Sequence, residues 1–320
     1  MFESIPSNFK SLFAELNYSF VTSDDEREIT ISVYNADDNE LCGTKRFYDS
    51  NAVSINIAPI IRNYAIPSAV KGDVGFVESL NSGFVSVFVE EGLGESADCR
   101  TFLFSRNDST ESEILTTMPL ERTIAKGESE MVTIRSEKSS MLIARLRYYP
   151  YNSISSLLEA SYQLDSTESG VAVFNFALES ALLDGELAGV ALEYITLTIE
   201  EHMEDESYVE LAQIRYIVID PPVTPTRLAW ISSAGSIEHY TFPTIDKILR
   251  SADAKLLISL SSALEDVGMR RAISEIISSQ RVWLDRGDCY EQVTITSEYI
   301  EIAKVRELER VSFTIECSDI

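Results

Sequence analysis

"EYITLTIEE" (residues 193–201) sets Ile195, Leu197 and Ile199 against Thr196 and Thr198. A period of two is the signature of a strand with one face in the core and one in water. The pattern recurs in "EITISVYN" (28–35), "AVSINIA" (52–58) and "RVSFTIECS" (310–318), and β-branched and aromatic residues fill these runs. Polar, turn-prone clusters such as "TSDDERE", "NADDNE" and "EEHMEDES" separate them. Strands this short and this regularly spaced predict antiparallel β-sandwiches.

A faint repeat extends the reading. "NAVSINIAPIIRNY" (51–64) resembles "GVAVFNFALESALL" (170–183). "GFVSVFVEEG" (83–92) and "CRTFLFSR" (99–106) follow the first copy, as "EYITLTIEEH" (193–202) and "AQIRYIVID" (212–220) follow the second. Two sandwiches of similar topology are the expectation. "DPPVTPT" (220–226) holds three prolines and reads as a stiff linker. "SRNDSTESE" (105–113) is polar and aperiodic and marks a weaker boundary. The predicted fold is mainly β. It has two tandem antiparallel β-sandwich (Ig-like) domains, over 1–110 and 111–222, and a smaller α+β domain over 223–320.

In that last part, "SALEDVGMRRAISEIISS" (262–279) places Leu264, Val267, Ala272, Ile273, Ile276 and Ile277 on a helical stripe. Ser262 and Glu265 fit a capping box at its start. "QRVWLD", "YEQVTIT" and "ERVSFTIE" read as strands after it. Before it, "TRLAWIS" and "IEHYTFP" read as a hairpin turning at Gly235, which tolerates positive φ. Trp230 then belongs to the core and His239 is a partly exposed strand residue. Read instead as a base beside Glu238, His239 needs a nucleophile or metal nearby, and the sequence offers none.

The hairpin also resembles a segment of phage tail and tip (baseplate-type) proteins, from phages of anaerobic gut bacteria and related phage-like particles. That segment has the form F/L-x-W-L-N-x-x-G-G-x-x-x-F/Y-x-F and follows a proline-containing linker. Here Trp230, Gly235, Tyr240 and Phe242 match it, while Ser232 replaces the usual Asn and one of the two glycines is missing. "SSQRVWL" (278–284), carrying Trp283, stands where such proteins close a helix and open a strand. The likeness covers the C-terminal third. It implies a structural motif, with no catalytic, cofactor-binding or metal-binding residues to carry over.

Acidic residues outnumber basic ones 52 to 26, for a net charge of −26, and the C-terminal third is closest to neutral. No face-sized basic cluster is visible, so binding to nucleic acid or to an anionic membrane is not expected. No apolar run is long enough to span a bilayer, and "MFESIPSNFK" does not read as a signal peptide. The cysteines (Cys42, Cys99, Cys289, Cys317) are widely spaced without a CxxC, so free thiols are the default. A Cys289–Cys317 bridge is the alternative, and the alternation around Cys317 marks it as a small buried hydrophobe.

Catalytic signatures are not found: no G-x-S-x-G, Walker sequence, G-x-G-x-x-G or H-E-x-x-H occurs. The two histidines, His202 and His239, do not make a triad or a multi-His metal site, and His202 reads as part of a solvated acidic loop. "NADDNE" (35–40) opens like a calcium loop but has Glu40 at the sixth place and Arg46 at the twelfth, so an EF-hand is rejected. A looser set of Asp24, Asp25, Asp37 and Asp38 remains as a cation candidate. No cofactor is expected.

The leading functional reading is a non-enzymatic structural component of a virion or phage-like particle. It would be made in the host cytoplasm and form homo-oligomers and contacts with other particle proteins. The rival is a carbohydrate- or receptor-binding module, with Tyr148, Tyr149 and Tyr151 of "RLRYYPY" (145–151) as exposed loop contacts to a surface glycan. An enzyme is the third reading, and the weakest.

Overall fold

The computed structural model describes the chain except residues 1, 22–27, 37, 49–51, 66, 78–83, 93–95, 107–112, 137–140, 167–169, 179–184, 186, 204–206, 251–254, 319 and 320. Among the described residues the protein is mainly β, with several sheets and two short α-helices. It divides into two compact units. The first comprises 1–68, 79–111 and 233–235, and the second 69–78, 112–232 and 236–320.

The first unit holds β1 (Phe2–Ser4), β2 (Asn17–Val21), β3 (Glu28–Asn35), β4 (Leu41–Tyr48), β5 (Ala52–Asn56), the helix α1 (Ala58–Tyr64), β7 (Phe84–Glu91) and β8 (Ser96–Leu103). Its sheets run β1-β2-β5 and β4-β3-β7-β8. The period-two reading is realised on β3, where Ile29, Ile31 and Val33 are buried and Thr30 and Ser32 are partly exposed. Pro59 sits in the first turn of α1, where its missing N–H costs no helical hydrogen bond.

β6 (Gly75–Val77) precedes β7 in the chain but belongs to the second unit. It pairs there with β14 (Val171–Ala177). The same unit contains β9 (Ile114–Leu115), β10 (Glu121–Ala125), β11 (Ser129–Arg135), β12 (Met141–Pro150), β13 (Leu158–Leu164), β15 (Leu192–His202) and β16 (Tyr208–Ile219). The sheets run β6-β14-β11-β9 and β10-β16-β15-β12-β13. One apolar cluster joins them: Ile134, Phe174 and Phe176 from the first, and Leu146, Leu197, Ile214 and Tyr216 from the second.

Both units share a connectivity. β1, β2 and β5 correspond to β9, β11 and β14, and β4-β3-β7-β8 corresponds to β13-β12-β15-β16. The crossover corresponds as well: β10 runs parallel to β16, and Ser11 bridges Leu103 in the parallel sense. The repeat legible in the sequence falls on these equivalent strands.

The rest of the second unit is an eight-stranded antiparallel sheet ordered β18-β17-β21-β22-β24-β20-β19, with β23 also paired to β24. Its strands are β17 (Thr226–Ile231), β18 (Ile237–Phe242), β19 (Thr244–Arg250), β20 (Lys255–Ser261), β21 (Val282–Asp285), β22 (Tyr290–Ile295), β23 (Glu301–Val305) and β24 (Leu308–Ser318). α2 (Val267–Ser274), continued by a 3₁₀ turn over Glu275–Ser278, packs Met269, Ala272, Ile273 and Ile276 into a cluster with Trp230, Phe242 and Phe313. The 220–226 stretch lies inside this unit between β16 and β17, with Val223 fully exposed.

Three local expectations are corrected. The helix begins at Asp266, whose carboxylate accepts Met269 N–H at 2.9 Å; Ser262 and Glu265 are not its cap. Ser262 Oγ accepts Val311 N–H and Glu265 accepts Tyr240 O–H, so both are engaged elsewhere. β19 and β20, unread in the sequence, come before the helix. Thr196 and Thr198, expected in water, are buried. β15 is a central strand, and on β12 beside it Arg147 lies opposite Thr196 and Arg145 opposite Thr198. Those arginines pair with Glu159 and Glu200 over that face.

Candidate functional site

The β17–β18 hairpin is where the sequence concentrated its signals. Directly opposite residues share a face of a sheet. One face carries Leu228, Trp230, Glu238, Tyr240 and Phe242, all buried. Phe242 meets Phe313 edge-on at 5.1 Å. Tyr240 O–H donates to Glu265 at 2.6 Å and its oxygen accepts Ala263 N–H, fixing the approach to α2. Trp283 is buried on β21 opposite Ala229. The turn closes by Ser232 N–H to Ser236 O at 2.9 Å. Gly235 adopts φ +88°, and a Cβ there would lie 2.9 Å from Ser105 N, within the first unit. Only glycine satisfies both constraints without strain.

The other face was not legible as a site. Arg227 and Thr241 lie opposite each other there, as do Ala229 and His239. The Arg227 guanidinium donates to Ser129 O from Nε (3.2 Å) and Nη2 (2.7 Å), and to Thr241 Oγ1 from Nη1 (2.9 Å). It lies 3.3 Å from Glu128 and 3.5 Å from Glu130. Arg122 of β10 lies 3.1 Å from Glu130 and 3.6 Å from Glu238. Glu238 also accepts Thr117 N–H and Ser236 O–H. Two guanidinium and three carboxylate groups, all but Glu128 buried, therefore form one network around the edge strand β18.

Burial pushes the Glu130 carboxyl up, against the opposing pull of Arg122 and Arg227. Burial alone would lower Arg122, but Glu130 first, then Tyr216 and Glu238, hold it above its ordinary value. His239, expected to be partly exposed, is buried. Burial, then the fields of Arg227, Lys71 and Arg122, depress it well below 6.5, so the ring is neutral at physiological pH. Its Nε2 is 2.9 Å from Tyr290 Oη. Burial and the nearby Asp285 push Tyr290 up to about 12. Lys71 ties the 69–78 segment to this region through Asp285 at 2.6 Å and lies over the Tyr290 ring at 4.7 Å.

A cavity of about 150 Å³ adjoins the network, with Arg122, Glu128, Glu130, Arg227 and His239 among its lining residues. The carboxylates already face guanidinium groups or N–H and O–H donors. The network's ion pairs link β10, β11, β17 and β18 to one another.

Elsewhere the predicted residues separate. Tyr148 is 2% exposed, in the core of the second unit, which corrects its reading as a loop contact. Tyr149 stacks on Tyr194 at 4.4 Å; Tyr151 alone projects, at 66% exposure. His202 belongs to β15, not to a loop, and meets Tyr208 edge-on. Asp24, Asp25 and Asp37 lie outside the described residues. Asp38 accepts Glu40 N–H at 2.8 Å. Among the described residues no group of three His, Cys, Asp or Glu is placed to hold a metal ion, and no helix is long and apolar enough to cross a membrane. The four cysteines are free, with Cys317 buried and Cys289 exposed.

No protein-family model matches this chain, and no curated protein matches it.

Proposed function

We propose that the chain is a non-enzymatic structural component of a phage virion or phage-like particle, in its tail or baseplate region. It acts by assembling with copies of itself and with other particle proteins. The observation that carries this reading is a pair of open sheet edges. Among the described residues β19 pairs only with β20, and β23 only with β24. Both present exposed aliphatic side chains: Ile248 and Leu249 on β19, Ile302 and Val305 on β23. Charge on these strands, Asp246, Lys247 and Arg250 on β19 and Glu301 and Lys304 on β23, blunts such edges only in part. Aliphatic side chains left on open edges suit strand pairing with a neighbour. The resemblance of the Trp230–Phe242 hairpin to phage tail and tip proteins points the same way. The shared connectivity of the two sheet pairs supports reading them as tandem Ig-like sandwiches, with the eight-stranded sheet and α2 as the assembly domain.

Light scattering across a concentration series tests the proposal. The wild type forms a defined oligomer, and the double variant Ile248→Lys/Ile302→Lys shifts it toward monomer while staying folded. A wild type that stays monomeric at every concentration, alone and mixed with neighbouring particle proteins, counts against it.

The glycan-recognition reading is favoured by one separate observation, a groove on the outer face of the eight-stranded sheet.

A further inference from the structure

We propose that this groove is a binding site for a neutral oligosaccharide. It lies across β19, β20 and β24, with residues 296–299 as one wall, and has a volume of about 800 Å³. That is within the ordinary range for small-ligand sites, about 300–1,000 Å³.

Register explains its chemistry. Lys247, Ser259 and Thr314 form one cross-strand row, and Thr244, Ser261, Ser312 and Glu301 form the next. Leu260, Phe313 and Ile315 alternate with these residues and are buried on the opposite face. Of these rows, Ser259, Ser312 and Thr314 line the groove as a lattice of hydroxyls, spaced about 5 Å between strands and about 7 Å along them. Ser259 and Thr314 are hydrogen-bonded at 3.0 Å and Ser261 and Ser312 at 2.7 Å, so the lattice is pre-ordered. The wall is fixed to the floor as well: Thr296 N–H donates to Thr314 O at 3.0 Å, and Thr314 N–H to Ser297 Oγ at 2.8 Å.

On that wall stands Tyr299, 69% exposed. An exposed aromatic ring beside hydroxyls and carboxylates offers what a pyranose needs. The ring face takes the C–H face of the sugar, and the oxygens exchange hydrogen bonds with its hydroxyls. The groove is too polar for a lipid or an amphipathic helix. Its ionisable lining is Asp246, Glu298 and Glu301 against Lys247, which disfavours nucleic acid and acidic polysaccharide. Pairing at the sheet edges lies in the plane of the sheet and leaves this face open. The inference rests on the glycan-recognition reading and is independent of self-assembly.

The test is saturation-transfer NMR with titration of the full chain against maltotriose, cellotriose, chitotriose and trigalacturonate. At least one neutral trisaccharide binds, and trigalacturonate binds more weakly or not at all. Tyr299→Ala weakens binding about tenfold or more without changing Tm, whereas Tyr151→Ala leaves it unchanged. Absence of binding by every neutral trisaccharide to the folded wild type overturns the proposal. So does binding that survives Tyr299→Ala, or a preference for trigalacturonate. Light scattering on the same samples reads assembly separately, so failure of either proposal is visible on its own.

Discussion

Glu130 is the residue on which the buried network turns, because both arginines face it. Removing one member of a buried pair leaves the others charged and unsolvated, at a cost of about 3–5 kcal/mol. Glu130→Ala is predicted to destabilise by that amount in urea denaturation. Glu121→Ala, which breaks the exposed pair with Arg215, is predicted to cost about 0.5 kcal/mol or less. Equal effects would show that the network does not act as a buried unit. His239 adds a pH signature. Its folded pKa is depressed, so its contribution is complete above the unfolded value near 6.5 and is lost as pH falls, because the unfolded chain takes up a proton. Between pH 7.5 and 5.5 the wild type should lose stability relative to His239→Gln, on the order of 1 kcal/mol. The difference between the two proteins is the quantity to read, since Glu130 and Glu265, both pushed up by burial, contribute with the opposite sign. A pH-independent difference would mean the imidazole is not held neutral. Little of this is legible in the sequence. Trp230, Tyr240 and Phe242 announce a core by their size and spacing. A charged residue in a strand announces nothing until the partner covering it is known, and Glu130 lies far along the chain from Arg227 and Glu238.

Strands with one buried face were readable because burial imposes alternation, as on β3 and β24, where Val311, Phe313, Ile315 and Cys317 point inward. β19 and β23 escaped because an edge strand with little buried surface carries no such constraint. The apolar stripe marks the helix but not its start: Asp266, not Ser262, meets the free N–H groups. Asp266→Ala should therefore cost about 1 kcal/mol in thermal or urea unfolding. No loss would mean that the cap does not contribute. At the hairpin turn, Gly235→Ala meets both positive φ and the Ser105 backbone, and a loss of about 1–3 kcal/mol is expected. A neutral result in the same assay would contradict the tight turn.

At the scale of the molecule, the acidic excess favours solubility and opposes close approach of copies through the charged regions. The open edges lie in the C-terminal third, where the charge is closest to balance, and edge pairing between copies would extend a sheet that already has eight strands. The strand-rich layout was legible because it rests on local periodicity. The placement of β6 in the second unit was not, since the partner of a three-residue strand is set by tertiary contacts alone. Self-assembly through the open edges is measured most directly as solution mass by light scattering across a concentration series, for the wild type and for Ile248→Lys/Ile302→Lys. The expected result is a closed oligomer of fixed stoichiometry that the double variant dissociates. A monomer at every concentration, unchanged by the variant, would contradict it.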